Sequence, residues 1–112
     1  MECGGNGRSE MNPPATGNQW SDSAVNCGRW TGVRLRDILE DVGISANGVY
    51  VGYYGTDQHL IGDSKKVVIS LGVPITQAKE DETLIGFVLN AEEIPIVHSY
   101  PLRLIVNFRR RW

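Results

Sequence analysis

The chain opens with Met-Glu-Cys-Gly-Gly-Asn-Gly-Arg, which sets one thiol, Cys3, in a glycine-rich loop and one guanidinium, Arg8, shortly after it. Glycines lack Cβ atoms, so such a loop lets backbone approach a bulky group closely. A guanidinium suits an oxyanion, through paired hydrogen bonds of fixed geometry. Trp20 follows, a large aromatic able to wall a pocket or fill a core. On residue types alone the alternatives stay open. The loop and Arg8 could form a generic anion site, although no GxGxxG or Walker pattern supports it. Equally, Cys3 could be a small residue in a turn and Arg8 a solvated cation. Cys27 is the only other cysteine, and no Cys-x-x-Cys occurs. A disulfide framework, a zinc site and a thioredoxin-like motif therefore lack support.

The elements that must position these residues are short. Residues 1–19 read as a loop, punctuated by Gly4, Gly5, Gly7, Pro13, Pro14 and Gly17. A brief strand is predicted around Ala24 to Cys27. Residues 33–42 give the best helix, because Leu35, Ile38, Leu39 and Val42 recur at helical spacing on one face. Thr31 suits its N-cap and Gly43 its stop. Residues 48–54 read as a strand rich in β-branched and aromatic residues, and 55–66 as a polar loop. Val67 to Ile69 reads as a short strand and Ile75 to Lys79 as one helical turn opened by Pro74. Thr83 to Leu89 and Ile94 to Val97 read as strands joined by a turn around Asn90 to Glu93, and Leu102 to Val106 as the last strand. Trp30, Leu35, Ile38 and Leu39 are core candidates, and Cys27 reads as a small buried residue. The fold class is α+β: a mostly β mixed sheet with one main helix. Strands do not alternate regularly with helices, which argues against a doubly wound parallel sheet.

A chain of 112 residues suits one small domain, and 41% apolar with 21% charged residues is ordinary globular composition. The net charge of −2 offers no basic field for nucleic acid. Arg109, Arg110 and Arg111 form a basic run that reads as a solvated tail. No apolar stretch reaches the roughly 20 residues of a membrane helix, and the opening residues do not read as a signal peptide.

Several linked segments carry a resemblance over residues 1–106: MECGGNGR, PPATGNQW, AVNCGRWTGVRLRDIL, YYGTDQHLIGD, ISLGVPI, LIGFVLNAEEIP and HSYPLRLIV. In type and order they resemble the sulfite oxidase and nitrate reductase family of molybdopterin-dependent oxidoreductases. NQW and SLGVPI are most similar to the molybdenum subunit of bacterial sulfane/sulfite dehydrogenases. The resemblance implies a partial molybdopterin-binding domain over 1–106 and a divergent basic tail over 107–112. Met1 stands where the family has a mid-chain residue, and after Val106 the pattern breaks off, which reads as a truncated segment of the parent enzyme.

The resemblance also implies roles. Cys3 takes the position of the thiolate ligand to molybdenum, a soft donor suited to that centre. Arg8 takes the position of a substrate-site arginine, and Trp20 that of a tryptophan lining the same pocket, with a slightly shorter gap from the cysteine. Asp57, His98 and Arg103 take positions that hold the pterin and its phosphate. The alternatives are a turn cap for Asp57 and a strand-end cover for Arg103. His59 matches no role. The expected cofactor is molybdenum-molybdopterin. The expected partners are sulfite or a related sulfur compound, an acceptor such as a cytochrome in the parent enzyme, and a second copy of this chain. The subgroup's setting is periplasmic, whereas a chain with no signal would stay cytoplasmic. A segment of this kind is expected to be inactive alone, since a metal site needs its supporting shell.

Overall fold

A computed structural model describes residues 1–56, 62, 63, 65 and 70–107. The helix begins at Leu35, where its apolar spacing starts, two residues later than the predicted span of 33–42. Trp30–Arg34 is a strand, β1, and α1 runs from Leu35 to Val42. Strand β4 (Leu84–Leu89) decides this boundary, pairing antiparallel with β1 from Trp30↔Leu89 to Arg34↔Leu84. The ladder satisfies main-chain groups that a first helical turn would leave open. Thr31 is thus a strand residue and not an N-cap. The Leu35 N–H, at the true start of α1, donates to the Thr83 carbonyl at 2.9 Å. Gly43, at φ 84, ends the helix as predicted.

The sheet built on β4 carries β1 on one side. On the other side β4 pairs with β5 (Glu92–Glu93) and with β6 (Arg103–Ile105). A second, two-stranded sheet pairs β2 (Tyr50–Tyr54) with β3 (Ser70–Pro74), and α2 (Ile75–Ala78) follows directly. Every strand pairing among the described residues is antiparallel. The α+β, mostly β architecture with one main helix is as the sequence predicts. The expected strand at Val67 to Ile69 lies outside the described residues.

Ile94 to Val97 is not a strand. Ile96–His98 forms a 3-10 turn entered through Pro95, whose ring fixes φ near −59 and supplies no ladder N–H. The predicted turn before it is present. Asn90 and Ala91 both take positive φ, 54 and 67, and join β4 to β5 in a two-residue hairpin. Around Ala24 to Cys27 the only pairing is an isolated bridge, Glu2↔Val25.

The core is small and lies between the two sheets. Leu35, Val73 and Ala78 are buried, with Leu39, Val51, Tyr53, Ile85, Leu104 and Val106 packed against them. Trp30 is half-buried, and its ring would meet any Cβ at Gly86 at 3.1 Å. The predicted apolar face of α1 is only partly used: Ile38 stands at the margin and Val42 is 71% exposed. Cys27 is exposed, contrary to its sequence reading, because it precedes β1 in a segment that no core element covers.

Ala91 carries a side chain in a left-handed conformation that costs non-glycine residues about 1–2 kcal/mol. Ala91→Gly is expected to stabilise the fold by about 0.5–1 kcal/mol, after the extra chain entropy of glycine is subtracted. A raised urea midpoint would agree, and an unchanged or lowered one would contradict it.

Candidate functional site

The first 29 residues stand apart from the core and organise themselves around main-chain hydrogen bonds. The segment from Met1 to Ser9 runs beside the segment from Trp20 to Asn26. Cys3 N donates to Ala24 O at 2.9 Å, Gly7 N to Ser21 O at 2.7 Å, Ser9 N to Trp20 O at 3.0 Å, and Asn26 N to Met1 O at 2.8 Å. Asn6 reinforces this pairing: its Oδ1 accepts from Ala24 N at 3.0 Å, and its Nδ2 donates to Glu2 at 3.0 Å. The Arg8–Glu10 turn is 3-10 and follows Gly7 at φ 73. Among the described residues, hydrogen bonds tie this unit to the sheet at one point. Asn90 N donates to Arg29 O at 2.8 Å, and Arg29 N donates to Asn90 Oδ1 at 2.9 Å.

Within this unit Cys3, Arg8 and Trp20 converge on Gly5. Gly5 N donates to Cys3 Sγ at 3.4 Å. A Cβ on Gly5 would stand 3.0 Å from Arg8 Nη2 and 3.2 Å from Trp20 Cδ1. Gly5 itself is buried, so a Cβ there would require Arg8 and Trp20 to shift by a few tenths of an ångström. Trp20 is 45% exposed, which sets aside its reading as a core aromatic. The Cys3 side chain faces solvent, so its sulfur is accessible as well as oriented.

Charge at the site is unbalanced in a useful direction. Arg8 donates from Nη1 to the neutral carbonyl of Asn18 at 3.3 Å, and no carboxylate pairs with it among the described residues. Arg34 and Arg36 show the contrast. Arg34 reaches Asp37 at 2.8 Å and Asp81 at 3.5 Å, and Arg36 reaches Asp81 at 2.8 Å. The hydrogen bond and charge of Asp37, aided by Asp81, hold the exposed Arg34 guanidinium's pKa above its ordinary value. Arg8 keeps its charge free for an incoming anion.

His98 and Arg103 form a second group. Arg103 leaves β6 with its guanidinium 5.9 Å from the Trp30 ring centroid, a cation–π distance, and donates from Nη1 to His98 O at 3.2 Å. Arg103 likewise has no carboxylate partner among the described residues. Among the described residues no hydrogen bond or ion pair joins this group to the Cys3 cluster. Asp57 and His59 lie outside the described residues. Among the described residues no group of three His, Cys, Asp or Glu side chains could hold a metal by itself. An accessible cysteine sulfur near Arg8, with Arg103 in a separate group, fits a metal whose other donors arrive on an anionic organic cofactor. Gly17, Asn18, Gln19 and Asn90 are the contributors that residue types did not single out. Their parts depend on hydrogen bonds that spacing does not encode.

A mostly antiparallel fold thus presents the Cys3 sulfur near an arginine that pairs with no carboxylate among the described residues. The oxidoreductase molybdopterin binding domain family matches residues 1–109, and the chain belongs to it. Mitochondrial sulfite oxidase of Rattus norvegicus is 30% identical, over 95% of this chain and 20% of its own length. Sulfite oxidase of Gallus gallus is 32% identical, over 95% of this chain and 24% of its own. An NAD(P)H nitrate reductase of Hordeum vulgare is 30% identical, over 95% of this chain and 12% of its own. The chain thus spans about a fifth of the sulfite oxidases it resembles. No helix among the described residues is long and apolar enough to cross a membrane.

Gly5→Ala is expected to displace Arg8 and Trp20, at a stability cost of about 1–3 kcal/mol for overpacking. In a 15N–1H NMR spectrum the Trp20 indole and Arg8 guanidinium resonances should move while that of Trp30 stays. An unmoved Trp20 would mean that Gly5 does not set the site.

Proposed function

We propose that this chain carries the cysteine-ligand part of a molybdopterin-dependent oxidoreductase that oxidises sulfite or a related sulfur compound by oxygen-atom transfer. The carrying observation is the convergence of Cys3, Arg8 and Trp20 on Gly5. When bound, molybdenum-molybdopterin supplies a redox centre able to pass an oxygen atom to a sulfur lone pair. Cys3 would give that centre its protein thiolate, held by the Gly5 N–H. Arg8 would bind the oxyanion of the substrate. Trp20 would flank the substrate beside Arg8. Arg103, positioned by the His98 carbonyl and the Trp30 ring, pairs with the pterin phosphate. His98 and Asp57 complete the pterin contacts in this reading. The similarity to sulfite oxidases supports sulfite, and the NQW and SLGVPI segments support the sulfane/sulfite dehydrogenase subgroup, with a cytochrome-like acceptor. Turnover by the chain alone is not expected, because Cys3 is open to solvent and lacks an enclosing shell.

A second reading is a non-catalytic module that folds or oligomerises without binding molybdenum. Ile96 and Val97 are each 86% exposed, with Tyr100 and Leu102 also open nearby. A contiguous apolar patch of this kind favours a homo-oligomer in which second copies cover it.

Size-exclusion chromatography with light scattering and elemental detection separates these readings. Protein from a host able to make the cofactor is expected to elute with molybdenum, at a multiple of its 12.4 kDa mass. A metal-free oligomer would favour the module reading, and a monomer would remove the oligomer.

A further inference from the structure

We infer that the Gly17–Gln19 segment positions the Arg8 guanidinium for its oxyanion, and that Gly17 is the residue that admits it. The inference rests on the reading of Arg8 as the substrate-binding arginine. A long arginine side chain at a site open to water samples many rotamers unless something holds its end. Two glycines press on the two terminal nitrogens of Arg8. Gly5 lies against Nη2, where a Cβ would come within 3.0 Å. Gly17, at φ 104, lies against Nη1, and a Cβ there would overlap Nη1 and stand 3.4 Å from Cζ.

The segment also supplies the single hydrogen bond to the guanidinium among the described residues, from Nη1 to Asn18 O at 3.3 Å. Gln19 stiffens the segment. Its Nε2 donates to Ala15 O at 2.7 Å and to Gly17 O at 2.8 Å, closing the loop on itself. The loop then continues into Trp20, whose carbonyl takes the Ser9 N–H at 3.0 Å, next in sequence to Arg8. The loop is therefore anchored to the turn it serves. A neutral carbonyl orients the guanidinium without cancelling its charge, and Nη2 and Nε keep donors for a ligand. A carboxylate in the place of Asn18 O would hold Arg8 equally well and abolish anion binding, which is the state of Arg34 beside Asp37.

The test is a double-mutant cycle on sulfite binding to the full chain, followed by the Arg8 Nε–H signal in 15N–1H NMR. Gly17→Ala is expected to weaken sulfite binding roughly tenfold, about the worth of one hydrogen bond to a charged group. Arg8→Lys should then cost less in the Gly17→Ala background than in the unaltered chain. Gly43→Ala places the same side chain at a positive φ with open space around it, so it should leave sulfite binding unchanged. Should Gly17→Ala fail to fold, Gln19→Ala serves in its place, with the same weakening and the same coupling expected. Independent, additive effects, or unchanged affinity in the variant, would overturn the positioning role and leave Arg8 as the anion site. Sulfite that never perturbs Arg8 in the unaltered chain would overturn both.

Discussion

Gly5 is buried at the point where a thiol, a guanidinium and an indole come together, and its missing side chain is the space they share. Its N–H turns the Cys3 sulfur, while its α-carbon leaves room for Arg8 Nη2 and Trp20 Cδ1. Any side chain there would have to take volume from one of them. The rest of the site is arranged around this close approach. The pairing of the Met1–Ser9 and Trp20–Asn26 segments brings the residues to Gly5, and the Gly17–Gln19 loop fixes the guanidinium that reaches it.

The site and the hydrophobic core are separate structures with a narrow connection. Leu35, Val73 and Ala78 pack between the sheets, and none of the described candidate site residues belongs to that cluster. The Cys3 unit hangs from the sheet through Arg29 and Asn90, which exchange two hydrogen bonds at the β4–β5 turn. His98 and Arg103 depend on the sheet directly, through β6 and its pairing with β4. A unit held by main-chain hydrogen bonds with little apolar burial opens more readily than a core strand. A bound cofactor that touched both groups would add stability by mass action.

Much of the fold was legible because its signals are local. The Leu35–Leu39 spacing gives α1, Gly43 its stop, Pro74 the start of α2, and the β-branched run Tyr50–Tyr54 a strand. What was not legible depends on partners distant in sequence. Val33 and Arg34 read as the start of the helix and belong instead to β1, because β4 offers a ladder. Ile94–Val97 looks extended by residue type, yet Pro95 turns it. Cys27 looks like a buried small residue and is exposed for want of a covering element. At the site, the residue types at Cys3, Arg8 and Trp20 were readable. The hydrogen bonds of Asn18, Gln19 and Asn90 were not, because a carbonyl's partner leaves no trace in spacing. Their Gly5 and Gly17 neighbours showed only as generic loop glycines.

The central claim is that Cys3 supplies the protein's sulfur to the metal. X-ray absorption at the molybdenum edge, on the loaded protein and on its Cys3→Ser variant, addresses it most directly. One sulfur neighbour fewer in the variant, with the cofactor's own sulfurs unchanged, is the expected result. Identical sulfur coordination in the two proteins would contradict the account.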